Sequence, residues 1–519
     1  MDQQLKHKIG QMIVAGFPSP EVDDQARRLI SEYEVANFVL FGRNFVSVRQ
    51  TCSLCESLSR LTFEKTGLAP LIAVDQEGGA VSRVSEGAAL FPGAMALAAS
   101  PSADAYQVGK NCGQVLRAMG INTNFAPVLD VNLEPRNPII GARAFSDDPQ
   151  RVSRLGLDMM TGMKEGGLLT CVKHYPGHGN VKSDSHLGVP VNDTTQNVLE
   201  QTEWVPFQNA FWADAEGLMT CHVLYREIDP RYPATLSPKI MTELLRNKQL
   251  FRGLVITDCL EMDAVRAAYG IGEGAVLAVE AGCDLLTFSH TFEAVEQAVL
   301  ALYHAVERGR LSAERIDTSY RRILEAKRKY GLLKAQLIDQ KKAQRLADDQ
   351  EMNALHAHIS RDSMTLLYDR GGLKAFREAK RPAFFAPASM AQTGAEDQKK
   401  KPLCFSEQAV ARFGGRGVVL PLNELNHESL ATLRAEGSDI VVFGLYNARF
   451  REGQIAALRE LERQGRTLVV VLLGAPYDAG VVERADAVIA AYEYTVLSVQ
   501  SVLEALEQGS FPGRLPIKL

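Results

Sequence analysis

Eight short apolar runs alternate with amphipathic stretches over the first part of the chain, and this alternation constrains the fold more than any other feature. Most of the runs are continuously apolar, as in strands that are covered on both faces. Strands that alternate with helices form a parallel sheet, and eight of them predict a (β/α)8 barrel over residues 1–335. Pro127 interrupts the fourth run. The predicted strands span residues 12–17, 36–41, 71–76, 122–131, 168–175, 217–224, 253–258 and 283–288.

A second α/β series follows the predicted barrel. Residues 336–350 are rich in Lys, Gln and Asp and are predicted to be a linker or a final charged helix. Further apolar runs such as 439–446 and 467–474 then alternate with helical segments. Residues 351–519 are therefore expected to form a smaller α/β domain with an open sheet.

Composition excludes some classes of partner. The formal net charge of −5 argues against a nucleic acid or an anionic membrane surface as partner. The N-terminal residues lack the apolar core of a signal peptide, and no later run approaches the length of a membrane span. We therefore expect a cytoplasmic protein.

The chain has eight cysteines, which we expect to be reduced rather than paired in disulfides. Cys52 and Cys55 form a C-x-x-C in a helical pattern, but no second pair with metal-ligand spacing follows. Four others fall in or beside predicted strands, where small buried thiols are common: Cys171, Cys221, Cys259 and Cys283.

Polar residues stand at the ends of five predicted strands. The active site of a parallel barrel lies at the carboxyl ends of its strands, so these side chains are expected to converge on one face. A single polar residue at a strand end is commonly structural, but five converging ends favour a functional site. The residues are Asp75, Asp130 with Arg143 in the following loop, Lys173 with His174, His222 and Asp258.

Asp258 follows three apolar residues and a threonine, so its carboxylate is predicted at the mouth of an apolar barrel. A carboxylate there is costly unless it is paired or functional. Aspartate is also a good N-cap, and the segment that follows is helical in pattern. Spacing alone leaves both interpretations open.

The stretch 170–190 holds three of the chain's ten histidines. Asp184 and His186 are two residues apart, and a carboxylate beside an imidazole can orient it for proton transfer. An Asx-turn with an exposed histidine is the structural alternative. His174, His178, Asp184 and His186 could also bind a metal, although the H-x3-H spacing here is interrupted by a proline and a glycine that exclude a helix.

Six segments together resemble the β-N-acetylglucosaminidase branch of family 3 glycoside hydrolases. They read KHYPGHGNVKSDSH (173–186), VDQEGG (74–79), NFAPVLDV (124–131), NPIIGARAF (137–145), YPATLSP (232–238) and VITDCLEMDAV (255–265). The second half, with GSFPGRLPI at 509–517, resembles the C-terminal α/β sandwich of that family.

This resemblance implies a retaining exo-β-N-acetylglucosaminidase with a TIM-type barrel and no metal or organic cofactor. Asp258 corresponds to the nucleophile, His186 to the general acid and base, and Asp184 to the residue that orients His186. The implied substrate is an oligosaccharide with a terminal N-acetylglucosamine, derived from cell wall or chitin. The sugar-binding residues that it implies are Asp75, Arg143, Lys173 and His174, with Asp130 and His222 assigned to the same pocket.

Several alternatives remain at this point. A neutral histidine base would admit an anionic acceptor, so a phosphorylase that uses inorganic phosphate competes with a hydrolase. A β-glucosidase, a metal-dependent hydrolase and a non-catalytic sugar-binding protein are further possibilities. The chain also departs from the family pattern at Ala80, where the family usually has arginine, and Arg83 is the candidate replacement.

Overall fold

The computed structural model describes residues 2–84, 87–182, 188–391, 396, 402–421, 433–434 and 437–519. Asp184 and His186 therefore lie outside the described residues. In the described part, the chain contains a closed barrel in its first half and a separate sheet in its second half.

The barrel confirms all eight predicted strands. Neighbouring strands are parallel, and β1 closes the barrel by pairing with β8, with Ile13 opposite Leu286. Every residue of the strands is buried except Asp258, because helices cover the outside and side chains fill the interior. The strands are Ile13–Ala15 (β1), Asn37–Leu40 (β2), Leu71–Val74 (β3), Thr123–Asn124 (β4), Leu169–Tyr175 (β5), Gly217–Thr220 (β6), Leu254–Cys259 (β7) and Leu285–Phe288 (β8).

Strand β4 is much shorter than the apolar run that predicted it. Pro127 lacks the N–H that a strand donates to its neighbour. From Phe125 to Leu129 the chain therefore pairs irregularly with its neighbours, with an isolated bridge between Val128 and Lys173. The run still reaches the carboxyl end of the barrel, so Asp130 stays close to the end of β5.

The helices of the barrel follow the strands in alternation. Side-chain caps set the start of some of them: Asp23 accepts a hydrogen bond from the backbone N–H of Ala26, and Asp104 accepts one from that of Gln107. The main helices span Asp24–Tyr33, Val48–Thr66, Ala94–Ala99, Ala105–Ala118, Pro149–Glu165, Gln196–Gln201, Trp204–Trp212, Lys239–Lys248, Asp263–Tyr269, Ile271–Ala281, Phe292–Glu307 and Ala313–Lys329, with Gln3–Gln11 before β1.

The predicted linker 336–350 contains the helix Gln340–Ala347. Ala343 and Ala347 are buried and belong to the same apolar core as the barrel. The helix Gln350–Ser363 follows and also contributes Met352 and Ile359 to that core. The chain between the two sheets is therefore packed against the barrel.

The second domain is a six-stranded sheet within the described residues, with helices on both faces. Five strands are parallel, and β9 is antiparallel to its neighbour β14. The strands are Thr365–Asp369 (β9), Pro382–Pro387 (β10), Arg416–Leu420 (β11), Ile440–Leu445 (β12), Leu468–Leu472 (β13) and Ala487–Ala490 (β14), in the order β9-β14-β13-β12-β10-β11. The described helices are Gly372–Glu378, Phe405–Phe413, Glu452–Arg463 and Val496–Gln508. Separate apolar cores cover the two faces, as in a three-layer α/β sandwich.

All eight cysteines are free thiols, and all but Cys404 are buried. Over the part of the chain that the structure describes, no helix has the length and apolar character to span a membrane.

Candidate active site

A cavity of about 530 Å³ opens at the carboxyl ends of the barrel strands. Residues from the ends of β2, β3, β5, β7 and β8 line it. Five predicted site residues meet there: Asp75, Arg143, Lys173, His174 and Asp258. The convergence expected from the strand-end rule is therefore observed for these five.

Lys173 lies at the centre of a buried group of charges. Its Nζ is 2.7 Å from Oδ1 of Asp75 and 2.6 Å from Oε1 of Glu77. Burial opposes the charge on Lys173, but Asp75 and Glu77 outweigh burial and hold its pKa above the usual value. The lysine is therefore a fixed cation that fastens the end of β5 to the segment after β3.

Glu77 connects this lysine to the loop after β4. Its Oε1 and Oε2 accept hydrogen bonds from Nη2 and Nε of Arg143, at 2.7 and 2.9 Å. Burial opposes ionisation of Glu77, yet Arg143 and Lys173 hold its pKa below the usual range. Two carboxylates and two cations, Asp75 and Glu77 with Lys173 and Arg143, thus form one rigid network on the cavity wall.

Glu77 was missed in the sequence. It stands two residues after Asp75, and side chains at that spacing point to the same face of an extended segment. The alternation in VDQEGG was sufficient to place Glu77 beside Asp75.

Arg83 takes a position in the same network, whereas Ala80 does not line the cavity. Nη2 of Arg83 is 3.8 Å from Oδ2 of Asp75, and its guanidinium lies 5.4 Å from the ring centroid of Phe41. The side chain is buried. Arg83 thus supplies a cation to this wall despite the alanine at position 80.

Asp130 is fully buried behind His174 and does not line the cavity. Its Oδ2 accepts a hydrogen bond from Nδ1 of His174 at 2.7 Å, and its Oδ1 accepts one from the backbone N–H of His178 at 2.6 Å. Burial opposes its charge, but His174 and His178 hold its pKa below the usual value. A proton on Nδ1 leaves Nε2 of His174 as an acceptor, 3.4 Å from Nη2 of Arg143.

His178 is buried beside this pair, with its ring centroid 6.0 Å from that of His174. Burial lowers the pKa of His178 to about 4, partly opposed by Asp130. The imidazole is therefore neutral near pH 7. Among the described residues, no group of three or more His, Cys, Asp or Glu side chains is arranged to hold a metal ion.

Asp258 is the penultimate residue of β7 and is partly exposed to the cavity. Its Oδ1 accepts a hydrogen bond from the backbone N–H of Cys259 at 2.7 Å. The next helix, Asp263–Tyr269, begins after Met262, so Asp258 is not its N-cap. The structure removes the capping interpretation and leaves a carboxylate that faces an open cavity.

His222 lies behind Asp258 and also does not line the cavity. Nε2 of His222 donates a hydrogen bond to the carbonyl oxygen of Cys259 at 3.0 Å, and Nδ1 contacts Oγ1 of Thr235 at 2.8 Å. His222 is buried. His222 therefore fixes the end of β7. In this position it can support Asp258, but it does not reach a sugar in the cavity.

The opposite wall comes from the ends of β2, β7 and β8. Glu261 accepts hydrogen bonds from the backbone N–H groups of His290 and Thr291, at 2.8 and 3.0 Å, and so ties the two loops together. The rings of Phe41 and His290 lie 5.7 Å apart and give this wall an aromatic surface. Strand-end reasoning that sought polar residues could not find Phe41.

The loop after β5 is anchored at both of its described ends. The hydroxyl of Tyr225 donates a hydrogen bond to the carbonyl oxygen of Gly177, and Nδ2 of Asn192 contacts both carboxyl oxygens of Glu203 at 3.3 and 3.4 Å. Burial raises the pKa of Glu203 to about 8. This buried acid lies against Gly177 and so joins the described chain on either side of residues 183–187.

Comparisons with known proteins agree with this geometry. Residues 4–326 match the model of the glycosyl hydrolase family 3 N-terminal domain. The β-hexosaminidase A of Pseudoalteromonas piscicida is 29% identical over 90% of this chain and 84% of its own length. The β-hexosaminidase of Thiobacillus denitrificans is 36% identical over 54% of this chain and 79% of its own length.

A solved structure resembles the whole chain. The glycoside hydrolase family 3 β-N-acetylglucosaminidase from Paenibacillus sp. str. FPU-7 superposes with a TM-score of 0.90 at 33% identity. The alignment covers 99% of both chains, so the likeness extends over the barrel and the second sheet.

Proposed function

The chain belongs to glycosyl hydrolase family 3, and from this premise we propose that it is a retaining exo-β-N-acetylglucosaminidase. The observation that carries the proposal is the Asp258 carboxylate, which faces a cavity whose opposite side is a fixed network of polar groups. The names of the β-hexosaminidases and of the Paenibacillus β-N-acetylglucosaminidase support the choice of sugar.

Asp258 acts as the nucleophile in the proposed reaction. Its carboxylate attacks the anomeric carbon through an oxocarbenium-like transition state and forms a covalent glycosyl-enzyme. The backbone N–H of Cys259 donates a hydrogen bond to Oδ1 of Asp258 and helps to hold this carboxylate at the end of β7. His222 keeps the end of β7 in place while the bond forms, through its contact with the carbonyl of Cys259.

His186 supplies the proton, and Asp184 orients it. This part of the proposal follows from the sequence motif, since both residues lie outside the described part of the chain. His186 protonates the departing glycosidic oxygen and then, as a neutral base, takes a proton from the water that releases the sugar. In the sequence both residues follow the end of β5, where Lys173 and His174 line the cavity.

The polar wall binds the terminal sugar. Asp75 and His174 present acceptors, and Arg143 and Arg83 present donors that match sugar hydroxyl groups. Because Glu77 already holds Lys173 and Arg143 at hydrogen-bond distance, these groups need little reorganisation when a sugar binds. We assign Asp130 to the positioning of His174 rather than to the sugar.

We extend the proposal to the natural substrate, which we take to be short fragments of cell wall or chitin that end in β-linked N-acetylglucosamine. A cytoplasmic location forms part of this proposal, and the free thiols of all eight cysteines are compatible with a reducing compartment. Phosphorolysis is the second candidate, because a neutral histidine base does not repel an anionic acceptor. A β-glucosidase is the third.

One experiment separates these candidates. The protein is incubated with an aryl β-N-acetylglucosaminide and, in parallel, the matching aryl β-glucoside, each with and without inorganic phosphate. Release of free N-acetylglucosamine at a rate independent of phosphate is the expected result. Phosphate-dependent formation of the sugar 1-phosphate would identify a phosphorylase, and preference for the glucoside would contradict the assigned sugar.

A further inference from the structure

The second domain contacts the barrel close to the polar wall of the cavity. Tyr477 and Tyr492 pack with Met95, Ala96 and Ala99 of the barrel in one buried apolar cluster. The hydroxyl of Tyr477 also accepts a hydrogen bond from Nδ2 of Asn132 at 2.8 Å. The two domains therefore share a packed interface on the side of the barrel where the site lies.

Glu493 of the second domain reaches into the barrel at this interface. Its Oε2 accepts a hydrogen bond from the backbone N–H of Gly93 at 2.7 Å, and its Oε1 accepts one from Oγ1 of Thr495 at 3.1 Å. A Cβ at Gly79 or at Gly93 would lie 2.6 or 2.5 Å from Oε2. The carboxylate thus sits between two glycines, and both must lack a side chain for it to fit.

The backbone before Glu493 is strained. Tyr492 has a φ of +67°, a conformation that a bulky side chain adopts at a cost. Its burial and a hydrogen bond between its hydroxyl and Oγ1 of Thr365, at 2.6 Å, hold it there. Strained backbone persists only where surrounding contacts hold it in place, and such positions are concentrated at functional sites. Here the strained residue directly precedes the carboxylate that enters the barrel.

The turn that Glu493 contacts carries Glu77. Gly78 and Gly79 follow Glu77 directly, both with positive φ, and the N–H of Gly79 donates to the carbonyl of Phe91 at 3.0 Å. A small cavity of about 60 Å³ lies beside this turn, and Arg143 and Glu493 both line it. The Gly78–Gly79 turn thus lies between Glu493 and Glu77, and the carboxylate of Glu77 binds both Lys173 and Arg143.

We propose that Glu493 is a positioning residue for the sugar-binding wall, so that the second domain is a working part of the site. The carboxylate fixes the turn of Gly78 and Gly79, the turn fixes Glu77, and Glu77 holds Lys173 and Arg143 where a terminal sugar binds. This inference rests on the proposed function for the identity of the sugar. It assigns to Glu493 an effect on sugar affinity rather than on the chemical step.

The test compares four single variants and one double variant of the full chain, with an aryl β-N-acetylglucosaminide as substrate and free N-acetylglucosamine as product inhibitor. Glu493→Ala is expected to raise KM and the inhibition constant by about tenfold with a smaller change in kcat, because the turn loses its carboxylate. Glu493→Gln keeps an acceptor for the N–H of Gly93 and should recover most of the affinity. Glu504→Gln removes a half-buried ion pair between the second domain and Arg361 of the helix Gln350–Ser363 and is the matched control.

Gly93→Ala tests the contact from the barrel side. Its backbone φ of −71° suits alanine, but the added Cβ would displace the Glu493 carboxylate. The variant should weaken sugar binding like Glu493→Ala, and the double variant should be no worse than either single one. The inference would be overturned if Glu493→Ala and Gly93→Ala both lowered the melting temperature without changing KM or the inhibition constant.

The same data distinguish this inference from the proposed function. If the wild-type protein does not turn over the N-acetylglucosaminide, the proposed function fails. If the wild-type protein does turn it over and the Glu493 variants match Glu504→Gln in sugar affinity, the inference alone fails.

Discussion

Replacement of Glu77 by glutamine is the most informative single perturbation of the site. Glu77 is buried and binds two cations, at 2.6 Å to Nζ of Lys173 and at 2.7 and 2.9 Å to the guanidinium of Arg143. Glutamine keeps the length and one acceptor oxygen but removes the charge. Breaking a buried ion pair by removing one partner costs about 3–5 kcal/mol, because the other charge stays buried.

We expect a loss of free energy of unfolding near the lower end of that range, about 3 kcal/mol, since Lys173 retains Asp75 as a partner. We also expect kcat/KM for an aryl β-N-acetylglucosaminide to fall by about a hundredfold, because a displacement of roughly 1 Å in a binding group has effects of that size. Urea unfolding and initial-rate kinetics measure the two quantities on the same preparation.

Glu273→Gln provides the control. Glu273 also binds an arginine, Arg310, through two hydrogen bonds, but both side chains are largely exposed. Exposed pairs contribute little, so its loss should stay within about 1 kcal/mol and leave the kinetics unchanged. If Glu77→Gln is no more damaging than Glu273→Gln in either measurement, the reasoning about the buried network is wrong.

Three further predictions concern other residues of the site and its surroundings. Asp130→Asn should lower kcat/KM by about ten- to a hundredfold, since His174 loses a charged hydrogen-bond acceptor, and initial rates will show whether it does. Burial raises the pKa of Glu203 to about 8, so the native state keeps a proton that the unfolded chain releases, and stability should fall by about 1.4 kcal/mol per pH unit between about pH 5 and pH 8. Glu203→Gln should lack this fall in urea unfolding at those pH values, and parallel profiles for the two proteins would contradict it. His186→Ala should damage turnover most for substrates with poor leaving groups, whereas an equal loss across leaving groups of different acidity would count against its acid role.

The sequence was sufficient to predict both sheets and the convergence of five strand-end residues. Continuous apolar runs identify strands that are buried on both faces, and parallel topology carries their ends to one side of the barrel. The shortening of β4 was signalled by Pro127, but its extent depends on how the neighbouring strands bond.

The position of a residue at the end of a strand does not show in which direction its side chain points. Asp130 and His222 stand at the expected edge, yet both turn away from the cavity and hold neighbouring groups instead. The contact between Glu493 and the barrel could not be predicted from the sequence for another reason. It lies about 400 residues from Gly93 along the chain, so only the packing of the two domains brings them together.

The proposed retaining mechanism is tested most directly by identifying the residue that carries the sugar. The protein is quenched during turnover of a fluorinated aryl β-N-acetylglucosaminide, chosen because its deglycosylation is slow, and is digested for peptide mass spectrometry. One added sugar mass is expected, on the carboxylate of Asp258. A label on another residue, or no label together with product of inverted anomeric configuration, would contradict it.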